Sequence, residues 1–370
     1  MPKYQYDIDH EIGENNIQLL GMDIHNPVFF GSALLITLFV VGTLIAPVGA
    51  AGVLEGARAS SLEHAHWLFS SSIVIIFGFC ILFALMPFGR IRIGGPAAKP
   101  EFGTLSWLAM LFSAGVGIGL LFWGAAEPLA YFSGWSGTPL NAEAGSEEAF
   151  RLAMSATIFH WGLHPWAVYA LMGLALAFFT YNKGLPLTIR SCFYPLLGER
   201  VWGWSGHIID MLAVLATLFG LATSLGFGAM QAAAGLNILF GIDSGITTQI
   251  AIIIGITSLA TLSVIRGINK GIKVLSNINI VLAIVLLLFV LLAGPTLAIL
   301  IGIPGNTVHY LKSMIPLANW FDRPDFEWYQ NWTIFYWAWW ISWSPFVGMF
   351  IARVSKGRTV RQFLAAVLVM

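Results

Sequence analysis

Apolar runs of about twenty residues recur along this chain, and no other feature limits its fold as strongly. A helix of that length crosses roughly 30 Å of hydrocarbon, where every backbone N–H and C=O has to be satisfied within its own segment. Such runs lie near 28–48, 67–88, 105–132, 152–180, 208–239, 246–265, 278–301 and 332–351, and a ninth begins near Phe363. Composition agrees: the 370 residues are 58% hydrophobic and 10% charged, with a mean hydropathy of +0.80. A soluble protein cannot hide that much apolar surface. The expected class is therefore an all-α polytopic membrane protein with eight complete spans and the bilayer as its solvent.

Loop charges orient these spans. The connections after spans two, four, six and eight carry Arg90, Arg92, Lys99, Lys183, Arg190, Arg200, Arg266, Lys270, Lys273, Arg353, Lys356, Arg358 and Arg361, which is 13 of the 18 basic residues. The opposite connections hold only Arg58, Arg151, Lys312 and Arg323. An excess of Lys and Arg marks the cytoplasmic side, so a multi-pass protein of the plasma (inner) membrane with a cytoplasmic N-terminus is expected. The tail 1–26 contains Asp7, Asp9, Glu11 and Glu14 and lacks the basic start and cleavage site of a secretory signal, so the first span is expected to be kept. Net charge is zero, which gives no electrostatic case for nucleic acid. Cys80 and Cys192, in a span and a cytoplasmic loop, are expected to stay unpaired.

Within the eighth run, residues 331–353 read NWTIFYWAWWISWSPFVGMFIAR, with five tryptophans and a tyrosine. At about 100° per residue, Tyr336, Trp339, Trp340 and Trp343 fall within roughly 100° of arc. Their π faces can attract a cation without formal negative charge, and quaternary ammonium groups are the usual ligand of such walls. A second aromatic cluster, FHWGLHPWAVY at 159–169, puts Trp161, Trp166 and Tyr169 on a broad arc that Gly162 and Pro165 can reshape. Interfacial anchoring suits Trp67, Trp202 and Trp204 better, because they lie near span ends.

The third run contains SAGVGIGLLFWGAAEP at 113–128, with glycines at 115, 117, 119 and 124. Close helix packing is one reading of these small residues. An unwound stretch whose free backbone groups line a substrate or ion site is the other, and the aromatic helix favours it. His160 and His164 stand four apart, as a metal pair on one helix face would. The remaining histidines supply no second cluster, so metal catalysis is not expected and hydrogen bonding within the bundle is. Glu127 and Asp210 are the acidic residues placed inside spans, where a cap, an ion pair, solvent exposure and a role in transport are all open. No phosphate-binding loop, dinucleotide fingerprint or zinc motif is present, so neither an enzyme nor an ATP-driven pump is indicated.

The strings WTIFYWAWWISWSPFVGMFIAR, AGVGIGLLFWGAAEP and HWGLHPWAVY closely resemble the betaine/carnitine/choline transporter (BCCT) family, and the likeness runs along essentially the whole chain. The resemblance implies a leucine-transporter-like fold with inverted repeats, uptake of a quaternary ammonium or sulfonium substrate, and a homotrimer. It implies a tail at 1–26, two preceding helices and a cytoplasmic loop at 27–104, a first five-helix repeat at 105–302, and an extracellular connection with the start of the second repeat at 303–370. Relatives have about twelve spans, so the second repeat is expected to be incomplete here. The matching positions make Trp161, Trp166, Tyr169 and Trp340 an aromatic box. Trp337, Trp339 and Trp343 would line the pathway, and Gly115, Gly117 and Gly119 would mark the unwound segment. Ser113, Val116, Thr217 and Phe346 would be the ion-binding candidates, with sodium as coupling ion and no other cofactor. Where sodium-coupled members pair two hydroxyls four apart, this chain has Thr217 and Leu221, with Thr223 and Ser224 nearby.

A trimethylammonium head spreads its charge over methyl groups and offers no strong hydrogen-bond donor, so aromatic faces suit it. A substrate carboxylate would meet the backbone amides near Gly117 and Gly119. Choline-specific members resemble one another in an aspartate at the position of Gly119, so a zwitterion such as glycine betaine or dimethylsulfoniopropionate is expected here. A betaine-binding sensor on the same scaffold is the alternative.

Overall fold

A computed structural model of the chain describes residues 6, 8, 10, 11, 13–115 and 117–369. A short antiparallel hairpin, β1 (Asn16–Leu19) and β2 (Met22–His25), turns through Leu20 and Gly21, both at positive φ as a tight hairpin turn requires. The helices follow in order: α1 (Asn26–Ile45), α2 (Pro47–Leu85), α3 (Thr104–Gly115), α4 (Ile118–Ser133), α5 (Glu147–Trp161), α6 (Leu163–Ala177) and the single turn α7 (Tyr194–Leu197). Then come α8 (Trp204–Phe240), α9 (Ile246–Ile265), α10 (Lys273–Ala293), α11 (Thr296–Ala318), the short α12 (Phe326–Tyr329), α13 (Phe335–Val354) and α14 (Val360–Val369). The polytopic all-α class expected from the apolar runs is what the chain adopts.

Boundaries differ from the sequence reading in three places. Among the described residues six helical segments are long and apolar enough to cross a membrane, or seven if α3 and α4 count as one bent span, against eight expected. Helix α13 has the length, but its indoles make it less apolar than an aliphatic span, because an indole carries an N–H as well as an apolar body. Helix α2 is 39 residues long, about 58 Å at 1.5 Å per residue, and takes in residues 49–66, read from the sequence as a loop. That segment is rich in alanine, the strongest helix former, and its Glu55 and Arg58 pair on an exposed face at 3.0 Å. The run expected at 278–301 stops at Ala293, where Gly294 is extended and Pro295 interrupts the helix; α11 starts afresh behind it.

The chain forms two compact units, each assembled from separate stretches of sequence. The first comprises residues 1–101, 168–220 and 338–364. In it α1 packs on α2, and α6 and α13 approach through glycine: a Cβ added to Gly348 would lie 2.5 Å from Met172 Cγ. Phe363 and Leu364 at the start of α14 are fully buried. Polar loops are tied by Arg92, which donates to the Gly357 carbonyl at 2.6 Å, and by Asn182, which donates to the Arg92 carbonyl at 2.9 Å. Arg353 and Glu101 pair at 2.8 Å.

The second unit comprises residues 102–167, 221–337 and 365–370. Helix α5 starts from a Ser146 cap that accepts the Ala149 N–H at 3.0 Å, with Glu147 and Glu148 in its first turn, and it packs against α4 and α11. Helix α10 packs on α3. Beyond α11 a buried ion pair closes the unit. Arg323 donates through Nε and Nη2 to Asp325 at 3.0 and 2.8 Å, with side-chain exposures of 1% and 2%. Its Nη1 also donates to the Leu317 and Asn319 carbonyls at the end of α11, and its guanidinium lies 4.3 Å from the Tyr329 ring centre. Asp325 accepts the Leu140 N–H at 2.6 Å in return.

Removing one member of a buried pair strands the other charge, at a cost of about 3–5 kcal/mol. Asp325→Ala is therefore expected to lower the thermal unfolding midpoint of the detergent-purified chain by several degrees. A midpoint equal to that of the wild type would remove Arg323 and Asp325 from the set of stabilising contacts.

Candidate functional site

The glycine-rich run breaks the helix where the spacing suggested. Helix α3 ends at Gly115, α4 begins at Ile118, and the two axes differ by 61°. Gly117 caps α4 in extended backbone, and a side chain there would meet open space. Gly115 serves the other reading, close packing: an added Cβ would sit 2.2 Å from Trp166 Cη2. Gly119 lies in the first turn of α4. Ser113 accepts a hydrogen bond from Asn279 Nδ2 at 3.3 Å. Val116 lies outside the described residues.

At its far end α4 buries Glu127, a carboxylate with no exposed surface. Oε1 accepts the Trp161 indole N–H at 2.6 Å and the Tyr336 hydroxyl, while Oε2 accepts the Tyr131 hydroxyl at 3.0 Å. His160 Nδ1 stands 3.2 Å from that hydroxyl and 3.4 Å from Oε2, and His160 Nε2 lies 3.0 Å from Thr333 Oγ1. Two residues flagged separately in the sequence, Glu127 and His160, thus belong to one network. Tyr131, Thr333 and Tyr336 complete it, and sequence reasoning assigned none of them there. One signal was available: Tyr131 follows Glu127 by four residues, which puts both on one face of a helix.

Gly162, with φ −98° and ψ −131°, ends α5 and separates Trp161 from Trp166 and Tyr169. The single aromatic arc expected for those three residues is therefore interrupted, and His160 and His164 sit on different helices rather than on one face. Among the described residues no three His, Cys, Asp or Glu side chains are grouped as a metal site. Trp337 packs into this second unit, its ring centre 5.1 Å from that of Phe159 and 6.3 Å from that of His164, and it is 2% exposed. The buried Trp166 also belongs to this unit.

Tyr169, Trp339, Trp340 and Trp343 belong to the first unit. Tyr169 and Trp340 are buried against each other, ring centres 5.0 Å apart and tilted by 58°. Trp343 presses on α8, where a Cβ on Gly220 would fall 2.8 Å from its Nε1, and it meets Phe346 edge to face at 5.7 Å. Trp339 is half-buried. The rings expected to form one wall on α13 therefore have different neighbours: Tyr336 takes part in the carboxylate network, Trp340 meets Tyr169 and Trp343 meets Gly220.

Thr217 and Phe346 line a cavity of about 970 Å³ within the first unit. Its polar end holds Arg190, paired with Asp210 at 2.5 Å and donating to His207 Nδ1 and His25 Nε2 at 3.1 and 3.3 Å. Asp210 is thus an ion-pair partner, one of the roles left open for it. Burial, reinforced by the Arg190 charge, holds the pKa of His25 below its ordinary value.

A family model described as "BCCT, betaine/carnitine/choline family transporter" matches residues 27–370. The chain is 56% identical over 370 residues to the glycine betaine transporter 1 of Vibrio parahaemolyticus, covering all of this chain and 71% of that one. It is 47% identical over 335 residues to the glycine betaine transporter OpuD of Bacillus subtilis, covering 89% of this chain and 64% of that one. To the high-affinity choline transport protein of Escherichia coli K12 it is 45% identical over 308 residues, covering 82% and 44%. The chain thus spans between 44% and 71% of the length of these three relatives.

The two glycines at the helix break are expected to differ on substitution. Gly115→Ala drives a methyl into Trp166 and should cost about 1–3 kcal/mol of stability, with a shift in tryptophan emission. Gly117→Ala should stay within about 0.5 kcal/mol of the wild type. Thermal unfolding with fluorescence detection measures both, and equal effects would mean that Gly115 is not a packing position.

Proposed function

Because the chain belongs to the betaine/carnitine/choline transporter family, we propose that it takes up a betaine-like onium zwitterion across the plasma (inner) membrane. Its family is one of transporters, not enzymes, and a small quaternary ammonium compound is the substrate class that the relatives' names carry. The observation that carries the reading furthest is the Tyr169–Trp340 pair, two buried rings 5.0 Å apart on helices that match the family's aromatic strings. Such rings attract an onium head through their faces at about 0.5–2 kcal/mol each. By family resemblance Trp161 and Trp166 are further candidate substrate rings, and Trp337, Trp339 and Trp343 are candidate pathway residues.

The extended backbone at Gly117, before the start of α4, suits the substrate carboxylate, because amides at a helix start carry partial positive charge. With glycine at position 119, no side-chain carboxylate competes for the onium, which supports glycine betaine or dimethylsulfoniopropionate over choline. Sodium is the proposed coupling ion, with Ser113, Val116, Thr217 and Phe346 as its candidate site. A homotrimer with the N-terminus in the cytoplasm completes the proposal.

Trp340→Leu is expected to weaken glycine betaine binding by about 5- to 30-fold, the equivalent of roughly 1–2 kcal/mol for one ring, without loss of membrane insertion. Isothermal titration of the purified protein reads this directly, and an unchanged Kd would misplace the aromatic pair. Uptake of labelled glycine betaine into cells should require sodium; equal uptake in potassium medium would discard that ion.

A further inference from the structure

We propose that Glu127 is a positioning residue: its buried carboxylate sets the angle at which the Trp161 indole presents its face to the onium head. The inference rests on the reading above that Trp161 is one of the substrate rings. Glu127 and its hydrogen-bond partners lie wholly inside the second unit. An indole N–H can only donate, so Trp161 donates to Oε1, and that oxygen also receives the Tyr336 hydroxyl. Tyr131 donates to Oε2. His160 Nδ1 lies 3.2 Å from the Tyr131 hydroxyl and 3.4 Å from Oε2, and its Nε2 lies 3.0 Å from Thr333 Oγ1. Among the described residues, Trp161, Tyr336 and Tyr131 thus converge on this one side chain.

The consequence for Trp161 is geometric. The residue ends α5 at the Gly162 break. Among its contacts are the 2.6 Å bond from its N–H edge to Glu127 and an edge-to-face contact with Tyr336 at 5.5 Å between ring centres. Glu127 holds Tyr336 as well, so one carboxylate governs both. Cation–π attraction depends on the cation lying over a ring face, and a ring free to swing about its side-chain torsions presents that face only part of the time. Charge-assisted hydrogen bonds are the stronger kind and fix orientation as well as distance.

A double-mutant cycle on the purified chain tests this, with glycine betaine binding read by isothermal titration. Glu127→Gln keeps the shape but turns an amide NH₂ toward donors, and it should weaken binding roughly tenfold, on the scale of losing a hydrogen bond to a charged group. In a Trp161→Phe background, which has no indole N–H to hold, the same change should have little further effect. The Trp161 component of tryptophan emission, taken as the difference between each protein and its Trp161→Phe counterpart, should shift in Glu127→Gln. If Trp161→Phe weakens binding but the two changes multiply independently, Glu127 does not act through Trp161 and the inference is overturned, while the substrate reading stands. If Trp161→Phe leaves binding untouched, the assignment of Trp161 to the substrate falls first. Should Glu127→Gln fail to fold, Tyr336→Phe removes one donor from the same oxygen and keeps the ring. It should weaken binding about two- to threefold by the same Trp161-dependent route, and an effect that persists in Trp161→Phe would equally overturn the inference.

Discussion

The buried carboxylate of Glu127 is the constraint around which the second unit is arranged. A carboxylate withdrawn from water costs several kcal/mol unless hydrogen bonds replace its hydration. Here the replacement comes from side chains far apart in sequence: Tyr131 on α4, His160 and Trp161 at the end of α5, and Tyr336 in the first turn of α13, with Thr333 behind the histidine. No single helix can supply these donors at the required angles. The α4 segment, the α5 terminus and the entrance to α13 must therefore be in register before the charge is satisfied, so the network specifies an arrangement that apolar packing alone would leave looser. Arg323 and Asp325 apply the same principle at the end of α11, where one buried pair joins the helix terminus to the Leu140 loop.

How much of this was legible in the sequence depends on what kind of information each feature carries. Apolar runs report membrane helices directly, because hydropathy and segment length are both local, and the polytopic class followed from them. The extension of α2 over residues 49–66 was missed because charged residues were read as loop, although alanine content favours helix there. The division at Gly294 and Pro295 was visible as a breaker pair but was absorbed into a continuous apolar run. Glu127 was noticed, yet its donor Tyr336, and Thr333 behind His160, lie some two hundred residues away, and no local pattern announces them. A wheel of rings shows where faces point on an ideal helix. It does not show which N–H and O–H edges have already been claimed.

The same limit explains the aromatic residues of α5 and α6. Treating 159–169 as one ideal helix put Trp161, Trp166 and Tyr169 on a common arc, and His160 with His164 on one face. Gly162 breaks that periodicity, and the two histidines part company: His160 enters the carboxylate network, while His164 lies against Phe159 and Trp337. Glycine was correctly suspected in the third run, and the structure gives its glycines two different physical jobs. Gly115 makes room for the Trp166 ring, and Gly117 supplies the extended link into α4. Spacing alone cannot separate these jobs, because both need the absence of a Cβ or a free backbone at neighbouring positions.

An aromatic cation site asks for something a carboxylate site does not. A salt bridge is strong at many angles, whereas a ring attracts a cation only through its face, so the scaffold has to supply the orientation that the interaction itself does not enforce. Ring orientation is held by different means in the two units. In the second unit the N–H edge of Trp161 is anchored to Glu127. In the first, close glycine contacts set the approach of α13, with Met172 against Gly348 and Trp343 against Gly220, and Trp340 lies on Tyr169. Side chains around a binding ring are effective when their own rotamers are locked by packing or hydrogen bonds. On this physical ground Gly220 of α8, Gly348 of α13 and Glu127 of α4 fix the orientation of rings, although none of them offers a face to a cation.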